Sequence, residues 1–417
     1  MKVLVLGSGA REHAITWKYA NSKRISGLFI APGNVGTGEL GMNLPDVDPA
    51  DARSVIQACE ENRINHVFVG PEAPLAAGIV DSLKERGIQV IGPHRDAAML
   101  ESSKAFSKEF MLRHGIPTAA AREFSDSGEF LTYMNNLDHR VVIKKSGLAA
   151  GKGVLESTDR EELIRFGQEI LKEDRLLVED FLEGYEISLF ALTDGRDYVL
   201  LPTCADFKKA GDGDTGLNTG GMGAICPVPV VEAEMMKTIT QTIVEPTFKG
   251  MAGEGLNYQG VLYFGLMITK TGPFLLEYNT RFGDPECQVL LPLIDNDFGN
   301  LAEAILNQKL AAFPLRLSHK SALGVVIAAE GYPEDYKKGH PVKPIPVFPE
   351  DSTLIFHAAS TSGSQGEVLT GGGRCFTVVG LGANFLNASV RAYEAAPRVS
   401  FPGAWYRKDI GKKFYLG

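Results

Sequence analysis

The chain has 417 residues, and at roughly 150 residues per domain this length predicts two or three domains. Its 42 Lys and Arg residues against 51 Asp and Glu residues give a net charge of −9, which argues against a nucleic-acid partner. The five cysteines are scattered without a Cys-x-x-Cys pair, which argues against disulfides and a zinc knuckle. No apolar run approaches the roughly 18 residues that cross a membrane. We therefore expect a folded, cytoplasmic protein with no membrane span.

The first hundred residues alternate short apolar runs with glycine or proline. Glycine or proline closely follows four such runs, at residues 3–6, 28–30, 66–69 and 89–91. A helical pattern follows the first run, from His13 to Ala20. This rhythm predicts an α/β domain with a doubly wound parallel sheet, whose strand C-termini face a ligand crevice.

The rest of the chain shows three further patterns. After a helix that Ser103 can cap, residues 121–186 read as helix, strand, glycine-rich loop, strand, helix and strand, which predicts an α+β unit. From residue 187 to 279, strands flank a long glycine-rich loop and a helix over 232–249, which predicts a larger antiparallel sheet. The remainder, from about residue 323, is strand-rich and predicts a small separate domain.

A glycine-rich turn at residues 7–13 joins the first strand to the first helix, where backbone amides can hold a phosphate. Two features oppose a dinucleotide site: Glu12 replaces the third glycine, and the second strand ends in Ala31-Pro32 rather than an acid. The pattern favours another phosphorylated ligand, with a plain structural turn as the alternative. Arg11 could contact that phosphate or could be a solvated residue at the helix start.

Residues 147–153 form a second glycine-rich stretch, which does not match the Walker A spacing. Because it joins two strands, it favours a flap that closes over a triphosphate, with an ordinary flexible hairpin as the alternative. Lys144 ends the preceding strand and could reach the same phosphates or could be a surface lysine. After the next strand, Glu179 and Glu186 could read an adenosine, although acidic strand ends are more often solvated turns.

The strand over residues 275–279 carries the strongest chemical pattern. A period of two places Glu277, Asn279 and, if the strand continues, Arg281 on one face. The carboxylate and amide oxygens suit Mg²⁺, and the guanidinium can neutralise a developing phosphoryl charge. The alternative is a Glu–Arg ion pair on a solvated face. In the glycine-rich loop 211–223, the backbone could approach a ligand closely, or the loop could be a disordered connector.

In this order the motifs resemble the ATP-grasp superfamily and, within it, the phosphoribosylamine–glycine ligase family. The matching segments are Gly9–His13, Ala31–Asn34, Gly70–Leu75, Gly147–Gly153, Asp214–Gly223 and Arg281–Glu286. The resemblance implies an N-terminal substrate-binding domain (1–101), a split ATP-grasp core (102–322) and a C-terminal domain (323–417). It also implies that residues from about 121 to 186 form a mobile lid over the core.

The resemblance further implies a reaction of purine biosynthesis. ATP phosphorylates the glycine carboxylate, and the amine of 5-phosphoribosylamine attacks the acyl phosphate to give glycinamide ribonucleotide, ADP and phosphate. Such chemistry needs charge neutralisation and exclusion of water. The expected partners are these small molecules and, transiently, the enzyme that supplies phosphoribosylamine. The alternatives are another ATP-grasp carboxylate–amine ligase, a nicotinamide oxidoreductase and an inactive nucleotide sensor.

Site residues follow from the resemblance position by position. Lys144 and Arg281 are the expected catalytic residues, and Glu277 and Asn279 the expected ligands of Mg²⁺ or Mn²⁺. The expected ATP contacts are Lys104, Lys144, Gly147, Gly151, Lys152, Gly153, Glu179, Phe181, Leu182 and Glu186. The expected substrate contacts are Gly9, Arg11, Asn34, Glu72, Asp206, Asp214, Gly220, Gly221, Met222, Gly223, Arg281 and Asp284. One departure, Lys145-Ser146 in place of Ala-Asp, leaves open whether Lys144 or Lys145 meets the phosphates.

Overall fold

The computed structural model describes residues 1–148 and 153–414. Its first elements are β1 (Lys2–Gly7), α1 (Ala10–Ala20), β2 (Gly27–Pro32), α2 (Val35–Gly38), β3 (Met42–Asn43), α3 (Ala52–Asn62), β4 (His66–Val69), α4 (Glu72–Ala77), α5 (Ile79–Glu85), β5 (Gln89–Ile91) and α6 (Arg95–Ser102). The five strands pair in the order β3-β2-β1-β4-β5, and every pairing is parallel, which confirms the predicted sheet. The order reverses between β1 and β4, so a crevice opens beyond their C-terminal ends.

This sheet is buried on both faces, because the side chains along a strand point alternately into two cores. Val3 and Val5 of β1 pack in a core shared with Phe282 and other residues of later elements. Leu4 and Leu6 pack on the opposite face against α3 and α5. The first of these cores fixes the N-terminal sheet against the middle of the chain, so the two regions can share a site.

The second unit follows the N-terminal sheet along the chain. Its elements are α7 (Lys104–Arg113), β6 (Ala121–Phe124), α8 (Ser127–Asn135), β7 (Val141–Lys145), β8 (Val154–Glu156), α9 (Arg160–Ile170) and β9 (Leu176–Asp180). The strands form an antiparallel sheet in the order β6-β9-β7-β8 over a small core of its own. The sequence pattern missed β6, because three of its four residues are exposed and only Phe124 is buried.

The third group of elements builds the sheet that faces this unit. It comprises β10 (Tyr185–Asp194), β11 (Tyr198–Leu200), β12 (Ala205–Asp206), β13 (Lys209–Gly211), β14 (Thr215–Asn218), β15 (Gly223–Cys226), α10 (Ala233–Ile239), α11 (Glu245–Glu254), β16 (Gln259–Thr269) and β17 (Gly272–Asn279). The predicted antiparallel sheet has the order β11-β10-β16-β17. The helix predicted over 232–249 is present as α10 and α11, which a π-helical turn at Thr240–Val244 joins without a break, and it continues to Glu254. The predicted long loop contains four short strands, β12 to β15.

The last elements are α12 (Glu286–Leu290), α13 (Phe298–Leu306), β18 (Ser321–Ala328), β19 (Thr353–His357), β20 (Ser360–Ser362), β21 (Val368–Thr370), β22 (Arg374–Gly382) and α14 (Phe385–Ala395). A five-stranded sheet of order β12-β15-β18-β22-β19 combines strands from the glycine-rich segment with strands from the C-terminal part. Helix α14 lies directly on β22, where a Cβ at Gly380 would fall 2.1 Å from the Ala388 carbonyl oxygen. Within the described ranges no helix is long and apolar enough to cross a membrane.

Candidate active site

A cavity of about 710 Å³ lies between the N-terminal sheet, the β6–β9 unit and the two later sheets. Most of the residues expected to bind ATP, metal or substrate line it: Arg11, Glu72, Lys104, Lys144, Gly153, Glu179, Phe181, Leu182, Glu186, Asp206, Asp214, Gly220, Glu277, Asn279, Arg281 and Asp284. These residues are spread over more than 270 positions of sequence. The fold therefore brings separate motifs to one enclosed space.

Several expected residues have other positions. Gly9, Asn34, Gly147, Gly221, Met222 and Gly223 do not line the cavity, and Gly151 and Lys152 lie outside the described residues. The Asn34 amide instead donates to the carbonyl oxygens of Ser8 at 2.8 Å and His357 at 2.9 Å, so it ties the N-terminal sheet to the C-terminal part. Met222 is fully buried in the core.

The glycine-rich turn after β1 is filled by the Glu12 side chain. Its carboxylate accepts a hydrogen bond from the Gly9 amide at 2.7 Å and pairs with Arg11 Nε at 2.6 Å. A Cβ at Gly70 would fall 2.3 Å from Glu12 Oε1, so the carboxylate also fills the space at the end of β4. A pyrophosphate at this turn would meet a buried negative charge. The turn is therefore unsuited to a dinucleotide.

One wall of the cavity carries two lysines on a shared carboxylate. Glu179, on β9, accepts from Lys108 Nζ at 3.0 Å and from Lys144 Nζ at 2.6 Å, and all three side chains are buried. Burial acts to raise the pKa of Glu179, but the two lysines outweigh it and the pKa is lowered. Burial likewise acts to lower the pKa of Lys144, and Glu179 outweighs it and raises the pKa. This wall therefore carries net positive charge.

The neighbouring lysine faces elsewhere. Lys145 Nζ lies 3.7 Å from the exposed carboxylate of Glu173 and does not line the cavity. Because successive residues of a strand point to opposite faces, Lys144 and Lys145 cannot both enter the cavity from β7. The geometry distinguishes the two lysines that the sequence left open.

Glu277 and Asn279 lie two residues apart on β17 and both line the cavity. Burial acts to raise the pKa of Glu277, but Lys208, Lys104 and Lys144 outweigh it, so the pKa is lowered and the side chain is ionised at neutral pH. The Asn279 amide satisfies its hydrogen bonds when its nitrogen donates to Glu101 at 2.9 Å, which leaves its oxygen on the other side. One carboxylate and one amide oxygen suit Mg²⁺, which takes its remaining ligands from phosphates and water.

Arg281 follows this strand and lies among acids. Its Nη2 atom pairs with Glu101 Oε1 at 2.7 Å, and its Nε lies 3.5 Å from Glu72 Oε2. Arg11 Nη2 lies 4.0 Å from the same Glu72 oxygen, so one carboxylate lies between two guanidinium groups. Burial raises the pKa of Glu101, although Arg281 opposes that shift. The two arginines therefore converge on the cavity from the N-terminal sheet and from β17.

A second pair of acids lies deeper in the wall. Asp206 Oδ1 is buried and has no hydrogen-bond partner among the described residues. Burial and then the charge of Glu286 raise the pKa of Asp206 well above its ordinary value, and burial also raises that of Glu286. Glu286 accepts from Ser188 Oγ at 2.9 Å. Lys208, the nearby cation, pairs with Glu186. An unpaired buried acceptor of this kind suits a cationic donor from a ligand.

The C-terminal part closes the far side of the cavity. Arg374, on β22, pairs with Asp284 at 2.9 Å and donates to the Gly220 carbonyl oxygen. Asp214 pairs with Arg407 at 3.0 Å and with Lys413 at 2.9 Å. Two of the four acids expected to bind substrate, Asp214 and Asp284, are thus held by basic residues from beyond position 370.

Several of these groups were missed by the sequence analysis: Glu101, Lys108, Lys208, Glu286 and Arg374. Two of them carried a usable signal: Lys108 lies four residues after Lys104, and an i, i+4 pair shares a helix face, while Glu286 ends the matching segment Arg281–Glu286. The others become neighbours of the site only through long-range packing.

Comparisons with known proteins agree along the whole chain. Residues 1–101, 102–287 and 322–413 match the N domain, the ATP-grasp (A) domain and the C domain of phosphoribosylglycinamide synthetase. The chain is 42% identical to the phosphoribosylamine–glycine ligase of Neisseria meningitidis serogroup B, over 99% of each chain. It is also 42% identical to the trifunctional purine biosynthetic protein adenosine-3 of Gallus gallus, over 98% of this chain but only 42% of that protein. The chain therefore spans about two fifths of such trifunctional relatives.

Solved structures give the same result. The crystal structure of phosphoribosylamine–glycine ligase from Thermotoga maritima matches with a TM-score of 0.85 and 35% identity, over 99% of this chain and 100% of that one. The biotin carboxylase domain of the Hydrogenobacter thermophilus 2-oxoglutarate carboxylase, solved with MgADP, matches with a TM-score of 0.74 at 19% identity, over 97% and 91%, which shows a shared fold. The chain therefore belongs to the phosphoribosylglycinamide synthetase family and is an ATP-dependent ATP-grasp ligase of purine biosynthesis.

Proposed function

We propose that the chain joins glycine to 5-phosphoribosylamine through a glycyl phosphate intermediate. The glycine carboxylate oxygen attacks the γ-phosphorus of ATP and ADP leaves. The amine then attacks the acyl carbon, the C–N bond forms, the C–O bond to phosphate breaks, and the amine loses a proton. The observation that supports this most directly is the convergence of Lys144, Arg11 and Arg281 with Glu277 and Asn279 on one cavity.

For ATP, we assign the phosphates to Lys104 and Lys144 and to the glycine-rich stretch 147–153, of which residues 149–152 lie outside the described ranges. Lys144 and Lys108 are buried and share the single carboxylate of Glu179, so this wall keeps a positive charge that attracts a triphosphate. The segment from Glu179 to Leu182 is assigned to adenine and Glu186 to the ribose. Glu277 and Asn279 would hold Mg²⁺, or Mn²⁺ in its place, and the bound ion would neutralise phosphate charge during transfer.

For the acyl phosphate, we assign Arg281. Its Nη2 pairs with Glu101 at 2.7 Å, and its Nε lies 3.5 Å from Glu72 without a hydrogen bond to a described residue, so the guanidinium charge is held at the cavity wall, where it can stabilise negative charge. Asp206 is assigned to the glycine ammonium group, because its buried Oδ1 lacks a partner within the described ranges. Arg11 and Glu72, with the segments around Gly9, Asp214 and residues 220–223, are assigned to phosphoribosylamine.

The β6–β9 unit, within residues 121–186, is proposed to be the lid that excludes water from the acyl phosphate. The proposal keeps domain limits at 1–101, 102–322 and 323–417. It also includes a cytoplasmic location and a transient contact with the enzyme that supplies phosphoribosylamine, which would shorten the exposure of that reactive amine to water.

The test is an ADP-release assay with ATP and Mg²⁺ in which glycine and phosphoribosylamine are omitted in turn. Glycine labelled with ¹⁸O in its carboxylate should transfer one ¹⁸O atom to the released phosphate, because the carboxylate oxygen leaves with the phosphoryl group. Full ADP release without glycine would contradict the proposed substrate. Release with formate or bicarbonate in place of glycine would point to another ligase of the superfamily. Unlabelled phosphate would exclude the glycyl phosphate.

A further inference from the structure

Glu101 is a buried acid whose hydrogen bonds and ion pair to described residues meet at one place in the site. It is the penultimate residue of helix α6, at the end of the N-terminal segment, and its side chain is 6% exposed. Between them, its two carboxylate oxygens contact three consecutive residues where β17 ends: Asn279, Thr280 and Arg281. No motif of the sequence pointed to it.

The Oε2 atom determines where the strand ends. It accepts a hydrogen bond from the Thr280 amide at 2.8 Å and from the Thr280 hydroxyl at 3.3 Å. Strand pairing with β16 ends one residue earlier, at Asn279. The Thr280 amide thus leaves the sheet ladder, and the carboxylate supplies the acceptor that a buried N–H requires.

The Oε1 atom orients the two functional side chains on either side of Thr280. With the Asn279 amide oriented so that its nitrogen faces Glu101, which is the orientation that satisfies its hydrogen bonds, Oε1 accepts from that nitrogen at 2.9 Å, and it pairs with Arg281 Nη2 at 2.7 Å. The first contact directs the amide oxygen away from Glu101, which is the orientation an oxygen ligand needs. The second contact fixes the Nη2 end of the Arg281 guanidinium, while its Nε makes no hydrogen bond to a described residue.

We propose that Glu101 is a positioning residue: it presents the Asn279 oxygen to the divalent cation and holds Arg281 at the transferred phosphoryl group. This inference rests on the proposed function. It differs from a general stabilising role, because a buried anchor between two elements would need only one of these contacts. Here one carboxylate sets the strand end, the metal ligand and the arginine together, as outer ligands commonly do for metal sites.

The test uses three variants of the full chain. Glu101→Gln keeps the shape but replaces one acceptor by an NH₂ group, which must then face either Thr280 or the Asn279 and Arg281 donors. Glu101→Asp keeps the buried charge but shortens its reach by one methylene. Glu109→Gln is the matched control, because Glu109 is exposed on the next helix and its one ion pair among the described residues is with Arg113, at 3.7 Å. Thermal unfolding without ligands gives the stability of each.

Two measurements then follow: Mn²⁺ binding in the presence of ADP, by electron paramagnetic resonance, and ADP release as a function of Mg²⁺ concentration. We expect Glu101→Gln to weaken Mn²⁺ binding and raise the half-saturating Mg²⁺ concentration about 10- to 100-fold, the usual effect of removing an outer partner of a metal ligand. Glu101→Asp should show a smaller effect in the same direction, and Glu109→Gln none.

Wild-type affinity for Mn²⁺ and Mg²⁺ in both Glu101 variants would overturn the inference, even if the maximal rate fell. If Glu101→Gln does not fold, the metal titrations of Glu101→Asp decide the result alone. Failure of the proposed function itself is distinguishable, because the wild type and Glu109→Gln would then show no glycine-dependent ADP release.

Discussion

Two groups of buried acids line the same cavity, and their pKa values move in opposite directions. Glu179 contacts two lysines, Lys108 and Lys144, which lower its pKa although burial opposes them. Asp206 and Glu286 lie near each other, and burial raises the pKa of both, with the charge of Glu286 adding to the shift at Asp206. Glu179 and Glu286 are equally buried, and Asp206 is half-buried with an inaccessible Oδ1, so the neighbours rather than burial decide the direction of the shift.

The difference matches the two kinds of ligand that the reaction requires. The Glu179 wall holds two ammonium groups against one carboxylate, so it remains positive and can receive the phosphates of ATP. The Asp206 wall has an excess of carboxylate and an unpartnered Oδ1 among the described residues, so it can receive an ammonium group. A cavity lined by both can hold an anionic and a cationic substrate next to each other.

The largest expected effect comes from removing the acid between the lysines. Glu179→Gln leaves Lys108 and Lys144 buried without a carboxylate, and breaking a buried pair in this way costs about 3–5 kcal/mol of the free energy of unfolding. Thermal and urea unfolding should show this loss. The control Glu173→Gln, at an exposed acid beside Lys145, should be close to wild type. Equal stability of the two variants would mean that the lysines do not depend on Glu179.

The next effect separates two adjacent lysines. Lys144→Ala should raise the KM for ATP about 10- to 100-fold, because a hydrogen bond to a charged group contributes about 1.5–3 kcal/mol. Lys145→Ala should change it little, since Lys145 pairs with Glu173 outside the cavity. Steady-state rates at saturating glycine measure both. Equal effects, or the reverse order, would assign the phosphate contact differently.

A smaller and more selective effect is expected at the other wall. Asp206→Asn should raise the KM for glycine about tenfold, through loss of a charged acceptor, and leave the KM for ATP unchanged. Without ligands the variant should be at least as stable as the wild type, because one member of a crowded carboxylate pair becomes neutral. Asp197→Asn, at an exposed turn, is the control. A variant that loses stability but keeps its KM for glycine would show a purely structural role for Asp206.

The sequence predicted the parts of this arrangement that depend on neighbouring residues. The parallel sheet was evident because four of its five strands are apolar runs ended by glycine or proline, whereas β3 is only two residues long and was missed. Glu277 and Asn279 share a face through the period of a strand. Most of the site residues that the resemblance to a known family implied do line the cavity, although they make up less than half of its lining. Strands β12 to β15 were missed, because they are two to four residues long and β15 pairs with β18, about 100 positions later.

The partners of the site residues could not be predicted for the same reason. Glu101 reaches Thr280 across 179 positions, and Arg374 reaches Asp284 across 90. Such pairs depend on how the N-terminal, middle and C-terminal sheets pack, and no local pattern encodes that packing. The lysines on Glu179 illustrate the consequence: the sequence shows two lysines and a glutamate, but it does not show that both lysines pair with that one carboxylate.

The smallest expected effect is on the pH dependence of stability, and its sign differs between the walls. The lowered pKa of Glu179 stabilises the folded chain above the ordinary range of a glutamate, and this contribution is lost as the pH falls through the lowered pKa. The raised pKa of Asp206 stabilises the folded chain below its ordinary range, and this contribution is lost as the pH rises through the raised pKa. Each group changes the free energy of unfolding by at most about 1.4 kcal/mol per pH unit.

Unfolding of the ligand-free chain from about pH 2 to about pH 9 should therefore separate the two variants, because the Glu179 contribution changes below the ordinary pKa of a glutamate. Asp206→Asn should remove part of the decline in stability on the alkaline side, whereas Glu179→Gln should remove part of the decline on the acid side. Saturating glycine should have an effect similar to Asp206→Asn, because an ammonium group beside Asp206 favours its ionised form and lowers its pKa. If both substitutions altered the same side of the profile, the two walls would not differ in charge, and the assignment of ATP phosphates to one and glycine to the other would lose its physical basis.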